Sequence, residues 1–336
     1  MMKLRPLIID TDPGADDAIA IMMMKGSGLF DIRAICPVNG NSPLKDTVEN
    51  TLKLCTYFDI DTRICVGAER PLLKGTTTNS NFSRRRRELG LSEDDDFQYG
   101  DQMFDMTFPP VTKNLNQTPA WDAIYQEAVL AGGELEILEI APHTNLALAL
   151  LKYPDLKHLI KQIVFMGGSS YAGNHTPNAE FNILEDPLAF QIVLNSGIPL
   201  KMIGLDAVDQ SWVTLDELKV MIDLGTTVTS MLYSDYAAVK AAVDQPDYPD
   251  WHRGITVLHD SLAAAWMIDE AVCSGVMIPL EVELQSPLTY GQTVIDRRKG
   301  SDKAPNCCWG KVVDRTRYVD VMTRCVANYP KQEKNA

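Results

Sequence analysis

Residues 7–21 read LIIDTDPGADDAIAI, an apolar run followed by four aspartates within eight positions. The run LIID predicts a buried strand that ends at Asp10, and the Pro-Gly pair predicts a turn into a helix that begins near Asp16 and Asp17. In open α/β sheets, ligands bind outside the carboxyl ends of the strands. The aspartates therefore mark the place where a binding site is expected.

The same alternation of strand-like and helix-like segments continues through the first two thirds of the chain. The predicted strands are residues 7–10, 31–38, 62–67, 135–141, 162–168 and 199–205. Helical spacing of apolar residues is found between them, at residues 42–58, 144–154 and 186–197. This order predicts an α/β fold with a mostly parallel central sheet flanked by helices.

The last third of the chain changes pattern twice. Residues 212–270 have a helical pattern and predict a helical lid region. Residues 280–314 have a strand-like pattern with turns, which predicts a C-terminal strand pair, and residues 315–329 predict a closing helix. No repeat and no Pro-, Gly- or Ser-rich linker divides the chain, so residues 1–330 are predicted to form a single domain.

The longest stretch without a clear pattern is residues 76–118, which is too long for an ordinary connection and predicts a functional or mobile segment. It contains four consecutive arginines at positions 84–87. A solvated loop is the favoured interpretation of these arginines, and a contact with a phosphate or a partner is the alternative.

The composition argues against several classes of protein. The 336 residues carry 31 basic and 45 acidic side chains, a net charge of −14 that disfavours a general nucleic-acid-binding surface. Seven cysteines without a CxxC pair indicate reduced thiols in a cytoplasmic protein. No stretch has the length and apolarity of a membrane span, and no signal-peptide pattern begins the sequence. We therefore expect neither a nucleic acid nor a membrane as a partner.

Four aspartates so close together predict a metal site. As helix caps, each would gain only about 0.3–1 kcal/mol from the helix dipole, and four of them would repel one another. Oxygen ligands without a nearby Cys or His favour Ca²⁺ or Mg²⁺ over zinc. The sequence therefore indicates a hard divalent cation at the end of the first strand.

Two later segments offer further polar groups. His259 and Asp260 stand just before an apolar helical run, so a functional pair and a helix cap are both open interpretations. The predicted loop at residues 173–187, GNHTPNAEFNILEDP, carries three asparagines and Glu180. Amides and a carboxylate suit the hydroxyl groups of a sugar, although an Asn-rich turn is also possible.

Taken together, six spaced motifs resemble the inosine–uridine-preferring nucleoside hydrolase family. The family patterns DTDPGxDDAxA, VxGN, PxTN, MGG, GNxTPxAEFN and HD are matched in order at residues 10–20, 38–41, 142–145, 166–168, 173–182 and 259–260. Six spaced matches are far more specific than any one of them. The resemblance, over about residues 5–325, implies the nucleoside hydrolase fold and Ca²⁺-dependent hydrolysis of ribonucleosides to base and ribose.

The resemblance also implies a role for each matching position. The groups implied to bind Ca²⁺ are the side chains of Asp12, Asp17 and Asp260 and the carbonyl of Ile140. Asp12 is also implied to be the general base, His259 to protonate a leaving purine base, and Asp10 to support the metal ligands without touching the ion. The positions implied to bind the ribose are Asp16, Asn41, Met166, Asn174, Glu180 and Asn182.

The base-binding part of the sequence departs from the family pattern. Many members carry a His-Gly motif in the loop after the third strand, whereas residues 79–100 here contain no histidine. Tyr248, Trp251 and His252 of the later segment DQPDYPDWHRG are candidates for stacking on the base or protonating it, Trp251 foremost. We therefore expect purine nucleosides to be cleaved at least as well as pyrimidine ones. We also expect a role in nucleoside salvage and assembly as a homodimer or homotetramer.

Two other functions fit parts of the sequence. A phosphatase of the haloacid dehalogenase type also begins with DxD after its first strand, but the PGADD continuation and the GNxTPxAEFN match argue against it. A catalytically inactive nucleoside- or ribose-binding module is the non-enzyme alternative. Against it stands the full set of implied metal ligands together with a base and His259, since a binder does not need to activate water.

Overall fold

The computed structural model describes residues 3–73, 106–243 and 254–332. The four arginines at 84–87 lie outside these ranges. So do the three candidate base-contact residues, which are Tyr248, Trp251 and His252.

The described strands and helices alternate along most of the chain. The strands are β1 (Arg5–Thr11), β2 (Phe30–Pro37), β3 (Arg63–Cys65), β4 (Leu115–Asn116), β5 (Leu135–Glu139), β6 (Ile160–Met166), β7 (Leu200–Ile203), β8 (Val213–Thr214), β9 (Ile255–Thr256), β10 (Cys273–Ile278), β11 (Leu280–Val282), β12 (Thr293–Ile295) and β13 (Cys307–Val313). The α-helices are α1 (Ala15–Ser27), α2 (Leu44–Tyr57), α3 (Ala120–Ala131), α4 (Thr144–Lys152), α5 (Phe181–Glu185), α6 (Pro187–Leu194), α7 (Leu205–Val208), α8 (Leu215–Ile222), α9 (Thr229–Val243), α10 (His259–Ile268) and α11 (Arg315–Ala327).

Of the described strands, nine form one sheet in the order β10-β13-β7-β6-β5-β1-β2-β3-β4. Every neighbouring pair is parallel except β10 with β13. The strand β1 is central, and its last five residues are buried. This explains its continuous apolar run, because a central parallel strand is covered on both faces. The predicted mostly parallel sheet flanked by helices is confirmed.

The structure differs from the prediction at the C-terminal strands and in the irregular stretch. A strand pair is present as the antiparallel β11–β12 hairpin, but β13 joins the main sheet beside β7 and pairs with β10 on its other side. The short strand β4 falls inside the stretch predicted to be irregular, and helix α3 follows it without having been predicted. These pairings depend on contacts between segments far apart in sequence, which local periodicity does not report.

Helix α1 is buried along most of its length, and this fixes the orientation of the aspartates in its first turn. It packs against α10 and α11. Gly26 allows α11 to approach closely, because a Cβ at that position would lie 2.5 Å from the carbonyl oxygen of Cys325. Tyr329 donates a hydrogen bond to the carbonyl of Met22 at 2.8 Å. A helix that is apolar on all sides is typical of such an interior position.

Among the described residues, no helix combines the length and the apolar character needed to cross a bilayer. All seven cysteines are unpaired, and six of them are buried, Cys308 being partly exposed.

Candidate active site

The candidate site lies at the carboxyl edge of the sheet between β1 and β5. From β1 the chain proceeds through β2, β3 and β4 on one side of the sheet, and it then returns to β5 and β6 on the other. Such a reversal of strand order opens a crevice that binds ligands in α/β proteins. Asp12 follows β1 and Ile140 follows β5, so the sheet topology brings both to this crevice.

A pocket at this crevice brings together nine of the residues predicted from the sequence. The tenth lining residue, Phe181, was not predicted. The residues that line the pocket are Asp16, Asn41, Ile140, Met166, Asn174, Glu180, Phe181, Asn182, His259 and Asp260. The other predicted residues that the structure describes, Asp10, Asp12 and Asp17, are fully buried, and Asp12 and Asp17 contact the lining residue Asn41.

Asp17 is fixed by backbone and side-chain donors at the start of α1. Its Oδ1 accepts a hydrogen bond from the Thr11 hydroxyl at 2.5 Å, and its Oδ2 accepts one from the backbone N–H of Gly14 at 2.9 Å. Burial, and then repulsion from Asp16, raise the pKa of Asp17 to about 7. The contact with Gly14 closes the first turn of α1, so helix capping is one role of Asp17. Capping does not explain why other acidic residues stand beside it.

Asp12 is held by one of its oxygens. Its Oδ2 accepts a hydrogen bond from the backbone N–H of Asn41 at 2.6 Å, whereas its buried Oδ1 has no partner among the described residues. Burial and repulsion from Asp17 raise the pKa of Asp12 well above its ordinary value. Gly40 makes room for the carboxylate, because a Cβ there would lie only 1.9 Å from Asp12 Oδ2.

Carboxylate oxygens of Asp16, Asp17 and Asp260 lie within 4.8 Å of one another. This set contains Asp16, predicted to bind ribose, and does not contain Asp12, predicted to bind the metal. Burial and repulsion from these acids raise the pKa of Asp260 well above its ordinary value. The N-cap of α10 is Leu258, so the interpretation of Asp260 as a helix cap is wrong.

These carboxylates fit a hard divalent cation. Repulsion among neighbouring acids contributes to the raised pKa values of Asp12, Asp17 and Asp260, so a positive charge between them would let them stay ionised together. Their oxygens, with the unpartnered Oδ1 of Asp12, are donors of the kind that Ca²⁺ and Mg²⁺ prefer.

Asp10 lies deeper, in a second layer of polar contacts. Its Oδ1 accepts a hydrogen bond from the amide of Asn145 at 2.9 Å, and the Asn145 oxygen accepts one from the N–H of Ala68 at 2.8 Å. Glu139 stands opposite Asp10 in the β1–β5 register, fully buried, and neither of its oxygens has a hydrogen-bond partner among the described residues. Glu139 was not predicted from the sequence, although an acid inside the run LEILEI of a buried strand was a usable signal.

The opposite wall of the pocket is built around Glu180, which caps helix α5. Its Oε1 accepts from the N–H of Asn182 at 2.9 Å, and its Oε2 accepts from the N–H groups of Gly168 at 2.9 Å and Ile183 at 3.2 Å. Burial raises the pKa of Glu180 to about 7, against the lowering effect of these hydrogen bonds. The segment predicted as a continuous loop therefore contains a short helix, because this side chain satisfies its first N–H groups.

The two asparagines beside Glu180 each use part of their hydrogen-bonding capacity. Asn174 Oδ1 accepts from the N–H of Phe181 at 3.0 Å, and Asn182 Nδ2 donates to the carbonyl of Met166 at 3.1 Å. In these contacts Asn174 uses its acceptor and Asn182 its donor, so complementary groups of both amides are available to a ligand with hydroxyls.

His259 lines the pocket and is the first residue of α10. Its Nδ1 is 3.6 Å from Oδ2 of Asp16, and both side chains are about one third exposed, at 34% and 31%. The histidine is thus open to solvent on one side and lies beside a carboxylate on the other. That position suits a group that exchanges protons with a bound molecule.

Comparison with known proteins gives one consistent result along the chain. The sequence model of the family described as inosine-uridine preferring nucleoside hydrolase matches residues 7–320. The pyrimidine-specific ribonucleoside hydrolase RihB of Escherichia coli O17:K52:H18 is 30% identical over 330 residues, which cover 98% of this chain and 99% of that protein.

Solved structures are similar over nearly the whole chain as well. A purine-preferring ribonucleoside hydrolase from Gardnerella vaginalis superposes with a TM-score of 0.82 at 28% identity, covering 96% of this chain and 98% of that chain. An inosine-guanosine nucleoside hydrolase superposes with a TM-score of 0.76 at 26% identity, covering 97% of this chain and 99% of that chain.

Proposed function

Because this chain belongs to the inosine-uridine preferring nucleoside hydrolase family, we propose that it uses Ca²⁺ and the acids of its pocket to cleave ribonucleosides, purine nucleosides at least as well as pyrimidine ones. The chain is a ribonucleoside hydrolase, a glycosidase of the EC 3.2.2 class, so the phosphatase alternative is wrong. The convergence of nine predicted residues on one pocket carries the proposal.

Ca²⁺ would be held by the acidic wall of this pocket. The proposed ligands are the carboxylates of Asp12, Asp17 and Asp260 and the backbone carbonyl of Ile140. When bound, the ion would orient a water molecule and make it more acidic.

Asp12 is proposed to remove the proton of the attacking water. Its Oδ2 is held by Asn41, while its Oδ1 is buried and has no partner among the described residues, so that oxygen can accept a proton. General base catalysis of this kind contributes about 10²–10⁴-fold. The sugar passes through an oxocarbenium-like state in glycosidic cleavage, and the nearby carboxylates favour that positive charge.

The polar groups around Glu180 are proposed to bind the ribose. A carboxylate has about four lone-pair directions, and backbone N–H groups occupy three of those of Glu180. The fourth can accept a bond from a ribose hydroxyl. Asp16 and the amides of Asn41, Asn174 and Asn182 would hold the other hydroxyls and fix the ring against the water, which lowers the entropic part of the barrier.

His259 is proposed to protonate the base as it leaves, from its place in the lining of the pocket. The relatives named above act on either class of base, one being pyrimidine-specific and another purine-preferring. The expectation that purine nucleosides are cleaved at least as well as pyrimidine ones therefore rests on this chain's own residues. A purine offers N7 to a single acid, and residues 79–100 supply no second histidine.

Contact of Trp251 with the base stays a prediction. Assembly as a homodimer or homotetramer also stays a prediction, which light scattering would check.

The decisive experiment is product analysis by liquid chromatography with a panel of purine and pyrimidine nucleosides. We expect free base and ribose, suppressed by a chelator and restored by added Ca²⁺. The Asp12→Asn protein is the matched control for contaminating hydrolases. Binding of nucleosides without release of base would instead identify an inactive binding module.

A further inference from the structure

The β11–β12 hairpin contacts the ribose loop, by which we mean residues 168–180. This loop carries Asn174 and Glu180, which line the pocket, whereas no residue of the hairpin does. The hairpin side of the contact consists of the Thr293 hydroxyl and the carbonyl of Leu288, which accepts from Asn178 Nδ2 at 2.9 Å. The hairpin thus supports one wall of the pocket from outside.

Thr293 makes the closest of these contacts. Its Oγ1 accepts a hydrogen bond from the N–H of Ser169 at 2.8 Å and donates one to the carbonyl of the same residue at 2.6 Å. Thr293 is buried, with 4% of its surface exposed, and Ser169 is buried with 3%. Buried backbone groups need partners, so one hydroxyl group fixes the peptide orientation on both sides of Ser169.

The contact continues to the carboxylate of Glu180 through Gly168. The backbone N–H of Gly168 donates to Glu180 Oε2 at 2.9 Å. Gly168 has a φ of +74°, and a Cβ at that position would lie 2.7 Å from Cγ2 of Thr293. The Thr293 side chain therefore packs against the residue that orients Glu180, and it bonds to the next one.

We propose that Thr293 is a positioning residue that sets the affinity of the pocket for the ribose of the substrate. The inference rests on the proposed function of the same pocket. A loop already held in its binding conformation loses little freedom when the sugar binds, and this increases affinity. Because Thr293 acts on the sugar side, its effect is the same for every nucleobase.

The test compares Thr293→Val, which keeps the shape but loses both hydrogen bonds, with Thr293→Ser, which keeps the hydroxyl. For inosine and uridine alike, Thr293→Val raises KM at least about tenfold while kcat changes less than about threefold, and Thr293→Ser stays within about twofold of the wild type. The inhibition constant of free ribose rises in parallel with KM. A merely structural role would lower kcat through a smaller folded fraction and leave KM unchanged.

A folded Thr293→Val protein with wild-type KM, or a KM increase for one base only, overturns the inference. Should that variant not fold, Thr293→Ala is the second test, since it removes the same two hydrogen bonds with a smaller side chain. It raises KM in the same base-independent way, and an unchanged KM again overturns the inference. A wild-type protein that cleaves no ribonucleoside contradicts the proposed function instead.

Discussion

The backbone N–H of Asn41 holds one oxygen of Asp12 at 2.6 Å, and the other oxygen of Asp12 is buried without a partner among the described residues. One oxygen thus fixes the orientation of the carboxylate, and the other is available for chemistry. This division between a held and a free oxygen suits a carboxylate that is proposed both to bind the metal and to act as the general base.

Asp12→Asn is expected to reduce kcat for inosine by at least about 10²-fold, because the amide keeps the shape of the side chain but cannot take a proton. Steady-state kinetics at saturating Ca²⁺ measure the effect, with thermal unfolding as the control for folding. Turnover close to that of the wild type would show that Asp12 is not the base.

Gly40→Ala is expected to displace the Asp12 carboxylate, since the new Cβ would lie 1.9 Å from its Oδ2. A misplacement of about 1 Å at a reacting group can cost about 10²-fold in rate, and we expect a loss of that order in kcat/KM. Gly14→Ala is the matched control, because its Cβ would meet its nearest neighbour at 3.5 Å, an ordinary contact. Equal activity of the two variants would count against the crowding argument.

2′-Deoxyinosine is expected to be cleaved on the order of 10²-fold or more slowly than inosine in kcat/KM. A site built to hydrogen-bond a hydroxyl leaves its own buried polar groups unpaired when that hydroxyl is missing. Glu180 and Asn182 are such groups, exposed by only 2% and 5%. Comparable kcat/KM values for the two substrates would contradict the assignment of Glu180 and Asn182 to ribose binding.

His259→Ala is expected to reduce the cleavage of inosine by about 10²–10⁴-fold, because the departing base loses its proton donor. The same variant should cleave p-nitrophenyl riboside within about tenfold of the wild-type rate, since a good leaving group needs no protonation. Equal losses for both substrates would point to a different role for His259.

Glu185 gives a prediction about stability and pH. Burial, with repulsion from Asp186, raises its pKa from 4.5 to about 8. Between these two values the folded protein keeps a proton that the unfolded chain releases, so the stability supplied by this group falls as the pH rises from about 4.5 to about 8. Glu185→Gln removes this dependence. Its melting temperature relative to the wild type should therefore increase from pH 5 to pH 8, and a constant difference would contradict the assignment.

Much of the fold followed from local patterns. The apolar run before Asp10 predicted the strand β1, and the same kind of signal placed β2, β5, β6 and β7. The position of β13 beside β7 did not follow, because its partner is set by packing between distant segments. Helix α3 and strand β10 were missed as well, since no motif drew attention to them.

The site was predictable where its residues formed motifs and unpredictable where they did not. The residues assigned to the ribose lie in motifs of the family that the sequence resembles, and the structure brings them together in the lining of one pocket. Phe181 was missed because one aromatic residue beside polar neighbours is indistinguishable from core, and Thr293 because its partner, Ser169, is far away in sequence. The grouping of Asp16 with Asp17 and Asp260 required three-dimensional distances.

The packing of α1 under α11 has a consequence for biosynthesis. Helix α1 leaves the ribosome early, whereas the residues that cover it, such as Cys325 and Tyr329, are made about 300 positions later. Until then, the face of α1 that packs against α11 in the folded protein lacks this partner. A nascent chain stalled before residue 315 would therefore expose an apolar helix face and be a substrate for chaperones, even though all ten residues that line the pocket had already been synthesised.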